Sequence, residues 1–316
     1  MQLLEYLLIP LAATKVHDSD FQTGEGMVKI LLLGLSGDSG CQIAAVGLHE
    51  KLLAILKANE LVYAPTLIDV KEIPEKIDVA ILEGGVRTEH EIELTKTIRE
   101  RSGILIALGS CACFGGIPGL ANLKAGDELL KTVYSEQKGT TIIEMPSVDK
   151  LLPNQQPLSD YAKIDFKIPG CPPEMNDIAT ILTTLLSGGT PELSKTDVCE
   201  LCPREREGEY SRKLKRIYEE IDHPKKCFLE QGFICMGPAT LGGCGAPCPQ
   251  AGMPCDGCRG PTEKNSDQGL TMLDALTSLT SEANENFSLP QYIGTFYRYT
   301  YPSSNLAKVL NRGKKK

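Results

Sequence analysis

The chain has 316 residues, 41% of them hydrophobic, and a formal net charge of −8 at pH 7. This length is enough for one large domain with a substantial core and one smaller domain. The negative charge argues against nucleic acid as the main partner, because binding to a phosphate backbone requires a basic surface.

Residues 27–190 alternate between short apolar runs and helical patterns, and most of the runs end in turns that contain glycine. The apolar runs predict strands at residues 27–35, 61–70, 77–82, 103–108 and 164–168. The patterns between and after them predict helices at residues 41–59, 88–101 and 175–186. Apolar strands that alternate with helices indicate an α/β fold, with a parallel sheet covered on both faces.

Several chemically reactive side chains follow the ends of predicted strands, namely Asp38, Cys41, Glu83, Cys111 and Cys171. Ligands of parallel sheets bind beyond the carboxyl ends of the strands, so we expect these residues to converge at one edge. Thiolates are the ligands that iron–sulfur clusters prefer, and the helix that begins at Cys41 favours an anionic group at its N-terminus. The alternative for each cysteine alone is a small buried hydrophobic side chain.

Asp38 lies three residues before Cys41, where a C-x2-C pair would have its first cysteine. A carboxylate can ligate iron, although it is a harder ligand than a thiolate. The alternative is that Asp38 caps the helix that follows it, and on residue type alone the two interpretations are equal. We call Asp38, Cys41, Cys111 and Cys171 the sheet-edge set.

After about residue 190, Gly, Pro and Cys become dense and apolar periodicity weakens, with helical patterns only at residues 208–221 and 270–284. Such a segment is expected to form little core by itself and to be held together by bound metal. We predict three parts: an N-terminal extension at residues 1–26, a domain at 27–190 and a C-terminal domain at 191–316.

Eight of the twelve cysteines lie in the C-terminal part and form two complete four-ligand sets. Zinc is the alternative to iron–sulfur, because paired C-x2-C motifs also occur in zinc ribbons. We favour iron–sulfur, because prolines flank several of these cysteines, as they often do in ferredoxins. Cys113 is left over and is predicted to be a packed thiol. The Cys199 set is Cys199, Cys202, Cys227 and Cys235, and the Cys244 set is Cys244, Cys248, Cys255 and Cys258.

The N-terminal sequence has neither a signal peptide of the usual form nor a twin-arginine motif, and the apolar run at residues 3–13 is too short to span a bilayer. We therefore expect a cytoplasmic, reducing location without a membrane span, where clustered cysteines usually bind metal.

The motifs taken together resemble the small subunit of nickel–iron hydrogenases. They are similar to the cytoplasmic group 3 type, in particular the gamma subunit of the methyl-viologen-reducing (deazaflavin-non-reducing) hydrogenase. The resemblance covers about residues 27–305. Its motifs are Leu35-Ser36-Gly37-x3-Cys41, Gly109-Ser110-Cys111-Ala112, Pro169-Gly170-Cys171-Pro172-Pro173, Cys199-Glu200-Leu201-Cys202-Pro203-Arg204, Cys235-Met236-Gly237-Pro238-Ala239-Thr240 and Pro254-Cys255-x2-Cys258.

The resemblance implies a flavodoxin-like, doubly wound domain and an irregular C-terminal iron–sulfur domain. It implies three 4Fe-4S clusters: a proximal one on the sheet-edge set, a medial one on the Cys244 set and a distal one on the Cys199 set. Asp38 departs from the family, which has cysteine there, so three cysteines and one aspartate would hold the proximal cluster.

The resemblance also implies an electron-transfer subunit that needs a nickel–iron large subunit for oxidation of H2, so no catalytic residue is expected in this chain. The acceptor would be an iron–sulfur or flavoprotein subunit, with the heterodisulfide reductase system as one candidate. Glu83 is expected either to shape the subunit interface or to face solvent. The alternative function is a hydrogenase-like or complex I-like electron-transfer subunit without H2 activity.

Overall fold

The computed structural model describes residues 27–124, 126–134, 149–211, 214–279 and 289–314. Within them a five-stranded parallel sheet has the order β2-β1-β3-β5-β7, and β4 pairs with β6 in a separate antiparallel sheet. If only the five strands of the large sheet are numbered along the chain, their order across the sheet is 2-1-3-4-5, which is the flavodoxin-like order. The strands are β1 Lys29–Gly34, β2 Glu60–Tyr63, β3 Ile77–Glu83, β4 Val86–Thr88, β5 Ser102–Leu108, β6 Leu151–Gln156 and β7 Phe166–Ile168.

Helices cover both faces of the parallel sheet, which confirms the predicted α/β fold. Ile30 and Leu32 of β1 are buried with α1, α2 and α6, whereas Leu31 is buried on the opposite face with α3 and α4. The helices are α1 Gly40–Val46, α2 Glu50–Ala58, α3 Glu89–Arg101, α4 Gly109–Phe114, α5 Gly126–Tyr134, α6 Met175–Leu186, α7 Pro247–Gln250, α8 Gln268–Leu279, α9 Leu289–Phe296 and α10 Asn305–Lys314. None of these helices is long and apolar enough to cross a membrane.

The helix predicted at residues 41–59 is two helices, α1 and α2. Between them Gly47 has low helix propensity, and His49 has a φ of 50°, which is incompatible with a continuous right-handed helix. The two helices nevertheless share an apolar face, because Leu48 and Ile55 are buried against the sheet. The strand predicted at residues 61–70 is also shorter, since β2 ends at Tyr63.

The helix predicted at residues 208–221 is wrong, because the described residues of this segment contain no helix. Their backbone bonds to a neighbouring segment instead: Ser211 N–H donates to the Glu230 carbonyl and Lys215 N–H to the Gly232 carbonyl. The helix predicted at residues 270–284 is present as α8, and residues 280–284 lie outside the described residues.

The C-terminal part has more core than its weak periodicity predicts. Met236, Met272, Phe296 and Tyr297 are buried together, and Leu120 of the N-terminal part packs against them. Side chains that are far apart in sequence supply this cluster, so local periodicity does not reveal it. The N-terminal extension at residues 1–26 lies outside the described residues, and the boundary at residue 190 stays a prediction.

Helix α3 begins with a capping box, which supports the predicted start at residue 88. The Thr88 hydroxyl accepts the Glu91 N–H at 3.1 Å, and the Glu91 carboxylate accepts the Thr88 N–H at 3.0 Å. We expect Thr88→Ala to lower the free energy of unfolding by about 1 kcal/mol, as measured by urea denaturation. Thr88→Ser keeps the hydroxyl and should cost much less; equal losses in the two variants would contradict a capping role.

Candidate metal centres

The sheet-edge set lies where the turns after β1, β5 and β7 meet. Cys41 lies in the first turn of α1 and Cys111 in the first turn of α4, and Cys171 follows β7. The Ser110 N–H donates to the Gly170 carbonyl at 2.8 Å, which joins the turns after β5 and β7. The structure thus brings the three predicted cysteines to one edge of the sheet, as expected from the topology.

Gly109 lets the sulfur of Cys41 lie directly against the turn after β5. Its φ is 85°, and a Cβ atom there would lie 2.3 Å from the Cys41 sulfur and 3.6 Å from the Gly170 carbonyl oxygen. Only glycine fits both this left-handed conformation and this close approach. The result is a thiol-lined cradle in which backbone lies close to sulfur, which fits a cluster held by sulfur ligands and backbone N–H groups.

The electrostatics of the sheet-edge set favour a bound cation. Burial is the main cause that raises the pKa of the Cys41 thiol, and four neighbouring negative charges add to it, those of Glu83, Cys111, Cys171 and Asp38. Burial also raises the pKa of Cys111 to about 12, again with added charges from Cys171, Asp38 and Glu83. Buried thiolates that repel one another require compensating positive charge, which bound iron would supply.

Asp38 is exposed beside these thiols. Its Oδ1 accepts the Gly40 N–H at 3.0 Å, at the start of α1. Ser39 occupies the N-cap position, with a φ of 63°, and its side chain makes no capping hydrogen bond. Asp38 therefore contributes to helix initiation, and its charge also acts on all three thiols. A role of Asp38 in starting the helix and a role as an iron ligand are therefore compatible.

Glu83 does not face solvent, which corrects one of its two interpretations. Its side chain is only 2% exposed, and its Oε2 accepts the Gln42 N–H at 3.0 Å. Burial raises the pKa of this carboxyl, and the hydrogen bonds from Gln42 oppose the rise. Glu83 therefore anchors the turn that carries Cys41 to the end of β3.

One member of the Cys244 set, Cys248, lies on the short helix α7. Burial raises the pKa of Cys258 to about 11; the Cys171 N–H opposes the rise, and charges on Cys244 and Cys248 add to it. Burial is also the main cause that raises the pKa of Cys255, followed by the charge on Cys235, with Cys258 and Cys248 contributing. Each of the four predicted thiols of this set therefore interacts with at least two of the others.

Two sulfurs of the Cys199 set lie close to Gly237. A Cβ atom on this glycine would lie 2.9 Å from the Cys199 sulfur and 3.7 Å from the Cys235 sulfur. Burial raises the pKa of Cys199 to about 12, and charges on Cys235 and Cys227 add to it. Burial raises the pKa of Cys235 to about 11, with contributions from Cys227 and Cys202. Sequence patterns did not single out Gly237 as part of the site, although it lies two residues after a predicted ligand.

Hydrogen bonds join the three sets in a fixed order. The Cys255 N–H donates to the Cys235 sulfur at 3.2 Å, which links the Cys244 set to the Cys199 set. The Ser110 hydroxyl donates to the Cys258 carbonyl, which links the turn that carries Cys111 to the Cys244 set. The Cys244 set therefore lies between the other two.

All twelve cysteines are free thiols, so a disulfide framework is excluded. Cys113 is 1% exposed and donates to the Ala107 carbonyl at 3.4 Å, as expected for a packed thiol. Among the described residues, no group of three or more His, Cys, Asp or Glu side chains is placed to hold a single metal ion. Ligands of a cluster bind different iron atoms and so lie farther apart than the ligands of one ion.

The chain is similar in sequence to known proteins. Residues 39–185 match the family described as NADH ubiquinone oxidoreductase, 20 Kd subunit. The G subunit of the F420-non-reducing hydrogenase vhu of Methanocaldococcus jannaschii is 43% identical over 287 residues, which cover 90% of this chain and 97% of that protein. The chain belongs to the family of F420-non-reducing hydrogenase G subunits. The resemblance predicted from the cysteine motifs is thereby confirmed.

One other member of this family and one solved structure are also similar to this chain. The iron-sulfur G subunit of the F420-non-reducing hydrogenase of Archaeoglobus profundus is 32% identical, over 90% of this chain and 99% of that protein. The actinobacterial-type NiFe-hydrogenase from Ralstonia eutropha has a TM-score of 0.50 at 16% identity, over 92% of this chain and 91% of that one, which shows a shared fold.

Proposed function

We propose that this chain is the electron-transfer small subunit of a nickel–iron hydrogenase, and that it connects the nickel–iron site of a large subunit to an acceptor subunit. The observation that carries the proposal is the connected order of the thiol sets, from the sheet edge through the Cys244 set to the Cys199 set. Family membership supports the same function. The reaction is the oxidation of H2, with catalysis in the large subunit.

Each set would hold one 4Fe-4S cluster, which when bound supplies one-electron exchange. The chain's own residues would position and tune these groups. Thiolates match the softness of iron, burial excludes water, and backbone N–H groups donate to the sulfurs. The Ile117 and Gly237 N–H groups, for example, lower the pKa of the thiols of Cys111 and Cys235.

The large subunit would cover the sheet-edge set. Two large apolar side chains lie exposed beside it: Ile43 is 70% exposed and Ile117 is 44% exposed. Both are within six residues of a cysteine of this set, and exposed apolar groups rimmed by polar residues are typical of protein interfaces. An iron–sulfur or flavoprotein subunit would accept electrons from the Cys199 set, and we place the complex in the cytoplasm.

Metal analysis of the complex tests this proposal. Anaerobic co-purification of the chain with its large subunit should give about twelve iron atoms per small subunit, nickel in the large subunit and H2-dependent reduction of viologen. Zinc without iron in the small subunit would contradict the cluster assignment and support the zinc alternative.

The second candidate is a complex I-like electron-transfer subunit without H2 activity. The family model described as NADH ubiquinone oxidoreductase, 20 Kd subunit favours it, but that match ends at residue 185, before the Cys199 and Cys244 sets. About twelve irons without nickel or H2-dependent viologen reduction would select this candidate.

Asp38→Cys tests the proposed aspartate ligand. If the carboxylate binds iron, replacement by thiolate should change the EPR spectrum of the sheet-edge centre and leave those of the other two centres as they are. Asp38→Asn is the matched variant, because an amide can still accept the Gly40 N–H but is a poor iron ligand. Spectra unchanged in both variants would mean that Asp38 acts only in helix initiation.

A further inference from the structure

Cys258 of the Cys244 set contacts the sheet-edge set. Its carbonyl oxygen accepts the hydroxyl of Ser110, which is 148 positions away in sequence and directly precedes Cys111. The backbone N–H of Cys171 also lowers the pKa of the Cys258 thiol. The two residues that act on Cys258 are therefore at or next to a cysteine of the sheet-edge set.

The position of Ser110 is unusual for a serine in a helix. Such serines commonly face solvent or bond to a carbonyl of the preceding turn. Ser110 is 1% exposed and its hydroxyl instead donates across to another part of the chain. Loss of that donor would leave the partly buried Cys258 carbonyl without this hydrogen bond, which is costly and would favour movement of Cys258.

We propose that Ser110 is a positioning residue that holds the Cys258 backbone against the turn that carries Cys111, and that this contact couples the sheet-edge and Cys244 centres. The inference rests on the proposed function. Hydrogen bonds to cluster sulfurs stabilise the reduced, more negative state and so raise the reduction potential. Without the Ser110 hydroxyl, Cys258 should move away from the backbone N–H of Cys171, which favours its thiolate, and the potential of the Cys244 centre should fall.

The test is an EPR-monitored redox titration of the intact complex that carries Ser110→Ala. We expect a lower midpoint potential for the Cys244 centre, an altered spin–spin interaction between this centre and the sheet-edge centre, and an unchanged potential for the Cys199 centre. Ser102→Ala is the matched control, because Ser102 is also buried and donates to a carbonyl, that of Arg99, at the opposite end of β5. Ser102→Ala should behave as the wild type.

Ser110→Thr keeps the hydroxyl and should retain the wild-type potential and spin interaction. The inference is overturned if Ser110→Ala matches the wild type, if Ser102→Ala causes the same changes, or if the alanine and threonine variants lose the Cys244 centre equally. Loss of the Cys244 centre in Ser110→Ala but not in Ser110→Thr would support the inference. A wild-type complex without iron would overturn the proposed function as well, and the iron assay reports that outcome separately.

Discussion

Gly109→Ala is expected to remove the sheet-edge centre and to lower H2-dependent viologen reduction by about 10²-fold or more. The left-handed backbone at this position costs a non-glycine residue about 1–2 kcal/mol. The larger effect is steric, since the new methyl group would lie 2.3 Å from the Cys41 sulfur. Cys41 must then move away from Cys111 and Cys171, so the iron content should fall by about four atoms per chain.

Gly188→Ala is the matched control for this substitution. Its φ is 74°, so alanine meets a similar backbone penalty, but nothing lies within 4 Å of the added Cβ atom. We expect full iron content and normal viologen reduction in this variant. Circular dichroism should show that both variants are folded. Full iron content and activity in Gly109→Ala would mean that close contact with the Cys41 sulfur does not matter for the centre.

The sheet and its reactive edge are predictable from sequence because they follow from local patterns. Short apolar runs such as the one at β3 are typical of buried strands in parallel sheets. In such a sheet the residues that follow the strands lie at one edge. Asp38 and Cys171 could therefore be assigned to one site although 133 positions separate them. Helix α6 begins and ends at its predicted residues because its apolar periodicity decides its burial.

Features that depend on long-range contacts are not predictable in this way. The segment at residues 208–221 has a helical pattern, but hydrogen bonds to residues 230–232 decide its conformation. The order of the three sets is set by the contacts of Ser110 with Cys258 and of Cys255 with Cys235, and no periodicity encodes them. Buried Glu83 was also ambiguous, because a carboxylate at a strand end is usually exposed.

Asp177→Asn is expected to lower the free energy of unfolding by about 3–5 kcal/mol. The Arg259 side chain is 2% exposed, and its guanidinium contacts the Asp177 carboxylate at 2.5 Å, across the interface between α6 and the C-terminal part. Arginine cannot lose its proton in a protein, so removal of its partner leaves a buried, uncompensated charge. Arg259 Nε already lacks a hydrogen-bond partner, so it offers no compensation. Anaerobic thermal unfolding of the complex measures the loss.

Glu89→Gln is the control that separates the effect of the buried Arg259 charge from the other effects of Asp177→Asn. Glu89 and Asp177 both lie in the first turn of a helix, so each variant loses a similar favourable interaction with the helix dipole. Glu89 pairs with Lys150 at the surface, with side chains 55% and 77% exposed, and its loss should cost less than about 1 kcal/mol. Asp177→Asn combined with Arg259→Met removes both charges of the ion pair and should recover most of the stability. Equal losses in Asp177→Asn and Glu89→Gln would show that the buried ion pair does not hold the two parts of the chain together.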